Sequence, residues 1–152
     1  MKIVEFLKPE LIIEDIQSQN KEEALKEFAQ CLEEVMGLKA EKVLHVLTER
    51  EKLGSTGIGE GVAIPHGKLH DLEHLICCFG RSQKGIDFDA IDNKPVHLIF
   101  LLLAPENSAG THLKALAKIS KILKDPAFRQ QLLDAKNAEE IYQIIKEEDD
   151  KL

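Results

Sequence analysis

The stretch Arg50 to Lys68, REKLGSTGIGEGVAIPHGK, gathers the side chains of this sequence best suited to chemistry. It holds five glycines, a Ser-Thr pair, one arginine, two lysines and a histidine behind a proline. Glycines at 54, 57, 59 and 61 permit positive φ and a close backbone approach to a bulky anion. Ser55 and Thr56 offer hydroxyl donors, and Arg50 a planar cation matched to phosphate. Pro65 restricts the backbone just before His66, and Gly67 leaves the far side of the histidine unobstructed. No cysteine lies here to compete as nucleophile, and the two carboxylates, Glu51 and Glu60, form no evident pair.

A neutral imidazole nitrogen attacks phosphorus near neutral pH without a general base to activate it. The transferring phosphoryl group spreads charge over its equatorial oxygens, so the protein's task is positioning and charge stabilisation. Amides, hydroxyls and one cation do this without a metal or other cofactor. On the residues alone two readings stand: a glycine-rich turn that presents a phosphoryl-accepting His66, or a structural histidine at a strand end.

Three familiar phosphate loops do not fit. A dinucleotide fingerprint needs a strand before its glycines and a helix after them, whereas here a helix precedes and Val62-Ala63-Ile64-Pro65 follows. A Walker loop needs Ser or Thr after its Gly-Lys pair, and Leu69 follows Lys68. The partner motifs of the kinase glycine loop are missing from the sequence. His66, His70 and His74 recur at helical spacing and would suit zinc on a helix. Pro65 and Gly67 make that helix improbable, so no metal site is expected, and His70 and His74 read as solvated loop residues. His45 reads as a surface residue, His97 as a hydrogen-bonded strand residue, and His112 as a first-turn helix residue.

The elements that must carry His66 follow from caps and periodicity. Asn20 with Glu23 forms a capping-box pattern, Ala24, Leu25, Phe28, Leu32, Val35 and Met36 recur at helical spacing, and Gly37 stops the run. A second helix over Ala40 to Lys52 buries Val43, Leu44 and Leu47. Val62 to Ile64, Leu75 to Phe79 and Val96 to Leu103 read as strands, the last apolar enough to be central. Leu113, Leu116, Ala117, Ser120 and Leu123 share one face of a later helix, with Lys114, Lys118, Lys121 and Lys124 opposite as a solvated face or a dock for acidic partners. Asp125-Pro126 and Asn137 with Glu140 open two more helices, and Glu147 to Lys151 reads as a frayed, solvated tail. The class is α/β or mixed-sheet α+β.

At 152 residues and a net charge of -7, the chain suits one domain and lacks the overall basic character of a non-specific nucleic-acid binder. Met1 to Ile12 has no signal-peptide pattern, and the apolar run Leu98 to Ala104 is too short to cross a bilayer. Cys31 and the adjacent Cys77 and Cys78 read as reduced thiols of a cytoplasmic protein, the latter two as small core residues on a strand.

The segment REKLGSTGIGEGVAIPHGK resembles the active-site signature of the enzyme IIA component, fructose/mannitol type, of the bacterial phosphoenolpyruvate-dependent phosphotransferase system. FDAIDNKPVHLIFLLLAPE (Phe88 to Glu106) and THLKALAKISKIL (Thr111 to Leu123) are similar to later family segments, so the resemblance spans essentially residues 1–152. It implies one IIA type-2 domain with a mixed central sheet of about five strands and helices on both faces. It implies His66 phosphorylated by the histidine-containing phosphocarrier protein, HPr or its nitrogen-branch paralogue, with tele-phosphohistidine expected. By the same resemblance His112 orients or neutralises the phosphohistidine, and Arg50 holds the loop and the phosphate. Ser55, Thr56, Gly57, Gly59 and Glu60 are expected to cradle the phosphate, Glu60 lying where some members carry Asn. FDAIDNKPV and LLLAPENSAGTHL look closer to the nitrogen-regulatory branch, which binds target proteins according to phosphorylation state. The alternative is a sugar-transport member that passes phosphate to a IIB domain. Neither implies nucleic acid or membrane insertion.

Overall fold

The computed structural model describes residues 1–151. A short 3-10 turn (Ile3–Glu5) leads into β1 (Leu7–Ile13), and two helices follow, α1 (Lys21–Met36) and α2 (Ala40–Lys52). Four strands come next, β2 (Gly57–Gly59), β3 (Val62–Ala63), β4 (His66–Leu69) and β5 (Ile76–Ile86). Strand β6 (Val96–Pro105) precedes three helices, α3 (Ala109–Leu123), α4 (Pro126–Asp134) and α5 (Ala138–Asp150).

The caps operate as the residue types require. Asn20 accepts the Glu23 N–H at 2.9 Å, the Glu23 carboxylate reaches back to the Gln19 N–H, and Gly37 closes α1 in the left-handed conformation. Asp125 and Asn137 accept first-turn N–H groups of α4 and α5 in the same way.

The six-stranded sheet runs β1-β5-β6-β3-β2, with β4 also paired to β6. Only β5·β6 and β2·β3 are antiparallel; β1·β5, β3·β6 and β4·β6 are parallel. Strand β6 is buried along nearly its whole length, as its apolar run requires. Strand alternation divides the helices between the faces. Arg81, in register with Leu98, donates to the carbonyls of Leu132 and Ala135 at the end of α4. On the opposite face Gly80 lies so near Phe28 of α1 that a Cβ would come within 2.6 Å of the ring. The mixed sheet with helices on both faces therefore matches the expected class.

Strands β2 and β4 replace parts of what the sequence suggests is turn, and four further details differ from the sequence reading. Strand β1 was not anticipated, because Pro9 and the polar Lys8 and Glu10 break its apolar alternation on an exposed edge. Strand β5 runs past Phe79 to Ile86, because it pairs with β6 at Arg81 and again at Ile86 across an irregular register between them. The inward seam of α3 is His112, Ala115, Ile119, Ile122 and Leu123, while Leu113 is 65% exposed. A histidine occupies the position from which an apolar residue would have set the phase. Finally, the charged C-terminus is no frayed tail: α5 continues to Asp150, and Asp149 is 0% exposed, 2.6 Å from Lys118 Nζ and accepting the Val4 N–H. Lys118 thus leaves the solvated lysine face.

Candidate functional site

His66 is the first residue of β4, an edge strand that among the described residues pairs with β6 alone. Alternation decides the rest. Gly67 turns toward α2, where a Cβ would sit 3.2 Å from Val46, so glycine lets the helix lie close. The His66 side chain points to the other face, where its ring meets that of His112 in α3. The C-terminal turn of α2 brings Arg50 to the same edge.

The geometry around His66 assigns its tautomer. Nδ1 lies 2.9 Å from the Ile64 carbonyl, which can only accept, so Nδ1 carries the proton. Nε2 is left with its lone pair and receives the Arg50 Nε–H at 3.3 Å. Arg50 is itself braced by donating from Nη1 to the Gly54 carbonyl at 2.9 Å. Burial is the main reason the His66 pKa is lowered; the Ile64 bond opposes this, Arg50 reinforces it, and Glu51 opposes it. The ring is half-buried, more enclosed than an exposed nucleophile would be.

His112 is 7% exposed, with ring centroid 5.5 Å from that of His66 and planes inclined by 57°. Its pKa is also lowered, chiefly by burial and further by His66 and Lys68. Among the described residues its buried Nδ1 has no hydrogen-bond partner. Together with Val46, Glu49, Leu53, Gly67 and Lys68, the triplet His66, His112 and Arg50 lines an open depression of about 430 Å³.

The 55–60 loop stands behind this depression and does not line it. The Ser55 hydroxyl donates to the Phe88 carbonyl at 2.7 Å and accepts the Gly57 N–H. Thr56 donates both its N–H and its hydroxyl to Glu51. Gly57 is needed for proximity: its Cβ would lie 2.9 Å from Ala90 Cα. Gly59 has φ +97°, and Glu60, at φ +58°, donates its N–H to Asp92 and directs its carboxylate toward Arg129. These donors already have protein partners.

The remaining histidines stand apart. His70 is exposed and bonded to Glu106, which raises its pKa; His74 and His45 are exposed. His97 Nδ1 lies 2.8 Å from the Ser82 carbonyl. Strand β4 ends at Leu69, before His70, and His74 lies in the irregular connection beyond it, so no helix face carries the three histidines. Cys77 and Cys78 are buried free thiols, Cys77 pushed up to about 12 by burial and by Asp149. Sequence reasoning missed Lys68 and Leu53 at the rim, and the buried carboxylate Glu51 behind Arg50. Glu51 is charged within an otherwise polar turn, and nothing local marks it as buried.

Residues 5–148 match the family described as phosphoenolpyruvate-dependent sugar phosphotransferase system, EIIA 2. The chain belongs to that family, a set of phosphotransferase components. It is 43% identical over 145 residues to a nitrogen regulatory protein of Bradyrhizobium diazoefficiens, covering 95% of each chain. It is 37% identical over 150 residues to the fructose-specific EIIABC component of Bacillus subtilis, covering 98% of this chain but 24% of that one. The crystal structure of nitrogen regulatory protein IIA-Ntr from Neisseria meningitidis superposes with a TM-score of 0.88 at 39% identity, covering 94% of this chain and 98% of that one. Among the described residues no helix is long and apolar enough to cross a membrane.

Proposed function

We propose that this protein is a phosphocarrier of the nitrogen-regulatory type, accepting a phosphoryl group on His66 Nε2 and controlling partner proteins by its phosphorylation state. One observation carries this reading: the Ile64 carbonyl holds the proton on Nδ1, so the nucleophilic lone pair is on Nε2, facing the Arg50 guanidinium. A depressed pKa keeps that nitrogen neutral and able to attack.

In the transfer, the donor's nitrogen–phosphorus bond breaks and its electron pair returns to the donor ring, while His66 Nε2 forms the new bond. As it forms, the Arg50 N–H that met Nε2 passes to a phosphoryl oxygen, where a guanidinium binds more strongly. His112, across the open depression, takes a proton from solvent and offsets the added negative charge. The loop of Ser55, Thr56, Gly57, Gly59 and Glu60 serves by shaping this edge, its own donors being held by protein groups. The donor is a phosphohistidine carrier, HPr or its paralogue.

The regulatory branch is favoured because the Bradyrhizobium relative matches along nearly its full length at the higher identity. The transport reading, with onward transfer to a IIB domain, draws on the fructose-specific relative. Incubation with a phosphorylated carrier tests the shared claim: an acid-labile label must appear on His66 and vanish in His66→Ala. Label on another residue overturns it. Capture of partners with His66→Asp and His66→Ala forms separates the branches. Proteins that discriminate the two forms support regulation, and rapid discharge onto an added IIB domain supports transport.

A further inference from the structure

Lys21 and Glu51 are each 8% exposed, with Nζ 3.3 Å from Oε1. A buried ion pair is weak evidence of stability, since an apolar pair of similar volume often serves as well. Lys21 is also the first residue of α1, where the positive end of the helix disfavours a cation. Both local rules argue against these residues, which directs attention to what they hold.

They hold the turn behind His66. Glu51 accepts the Thr56 N–H at 3.0 Å and also its hydroxyl. The Thr56 carbonyl accepts the Ile64 N–H at 3.0 Å, and the Ile64 carbonyl accepts the proton of His66 Nδ1. A continuous chain of contacts therefore runs from Lys21 through Glu51, Thr56 and Ile64 to the imidazole. The same turn seats Arg50: the Gly54 N–H donates to the Glu51 carbonyl, while the Gly54 carbonyl accepts Arg50 Nη1. Lys21 is supported from the far side by the Phe88 ring, 5.6 Å from Nζ, and by Asp89 at 3.4 Å.

We propose that Lys21, Glu51 and Thr56 are positioning residues: a buried relay that locks His66 in the Nδ1–H tautomer and seats Arg50 against Nε2. The purpose of that arrangement rests on the phosphocarrier reading above; the relay itself is testable without it.

The experiment compares the full-length protein with Thr56→Val, Thr56→Ser and the double variant Lys21→Met/Glu51→Met, which removes both buried charges together. Nitrogen-15 NMR of the unphosphorylated protein reports the His66 tautomer, circular dichroism the fold, and a phosphorylated histidine carrier the rate of acceptance. The relay predicts that the folded double variant and Thr56→Val drift to a mixture of tautomers and lose at least about tenfold in rate. Thr56→Ser, which keeps the hydroxyl, should match the parent. A folded double variant with an unchanged ring spectrum and rate overturns the proposal, as does a lowered melting temperature with the ring spectrum unmoved. A parent protein that takes no phosphate, while the variants still shift the tautomer, sinks the phosphocarrier reading and upholds the relay.

Discussion

The imidazoles of His66 and His112 stand with centroids 5.5 Å apart, one beginning an edge strand and the other in the first turns of α3. Each ring sits in surroundings that disfavour its charged form, burial being the largest cause for both. Two neutral rings are compatible at this separation, whereas two imidazolium ions would repel. A phosphoryl group on His66 reverses the local sign, replacing a neutral neighbour by one of net negative charge. The His112 titration should therefore move to higher pH in the phosphorylated protein. Nitrogen-15 NMR of both forms measures this, and an unmoved midpoint would remove His112 from the proposed charge balance.

Acceptance should persist to lower pH than the ordinary imidazole value of about 6.5 allows. The His66 pKa is lowered, so the neutral nucleophile survives into mild acid and the rate falls only as pH passes down through the depressed pKa. Stability follows the same sign. For His66 and His112 the unfolded chain binds protons more readily, so their contribution is present above the unfolded pKa and is lost as pH falls through the folded one. A rate profile and urea titrations across that range check both.

Arg50→Ala removes the N–H facing Nε2 and the brace to Gly54. Single-turnover phosphorylation should slow by roughly 10²–10³, the usual effect of deleting one preorganised donor. Folding stability should change by only about 1 kcal/mol. Arg50→Lys should recover little, because an ammonium cannot span both contacts. Equal rates for the parent and Arg50→Ala would contradict the assignment.

His112→Ala should slow transfer yet leave acceptance measurable, because the nucleophile and Arg50 remain. The ring is buried in the inward seam of α3, so its removal should also destabilise by about 1–3 kcal/mol. Comparison of rates at temperatures where both proteins are fully folded isolates the chemical share.

Asp149 anchors the C-terminus. Although burial opposes ionisation, Lys118 and the backbone N–H groups of Val4 and Ile3 hold its carboxyl below the usual range. The stability it confers is present above the unfolded carboxyl pKa and is lost as pH falls through the depressed one. Asp149→Ala leaves Lys118 without its partner and should cost about 3 kcal/mol in urea unfolding. A loss below about 0.5 kcal/mol, the size of an ordinary surface effect, would restore the solvated-tail reading.

Much of the architecture was legible because its signals are local. Asn20, Gly37, Asp125-Pro126 and Asn137 act within one turn of where they stand, and the helix boundaries they imply agree with those observed. The apolar run of β6 likewise announced a central strand. Strand β1 left no such signal, since an edge strand tolerates Pro9 and polar neighbours. The phase of α3 was misread for a related reason: His112 packs inward because of what it faces across the sheet edge.

By itself the sequence determined which histidine is set in a glycine-rich turn, which helices flank it, and which family's signature surrounds it. Tertiary structure alone decided that the edge strand turns His66 toward α3, that Ser55 and Thr56 bond to protein groups behind the site, and that Lys21 meets Glu51. Caps and periodicities are short-range consequences of backbone geometry. The partners of a buried charge or an imidazole are set by packing between segments distant along the chain, and no local rule records them.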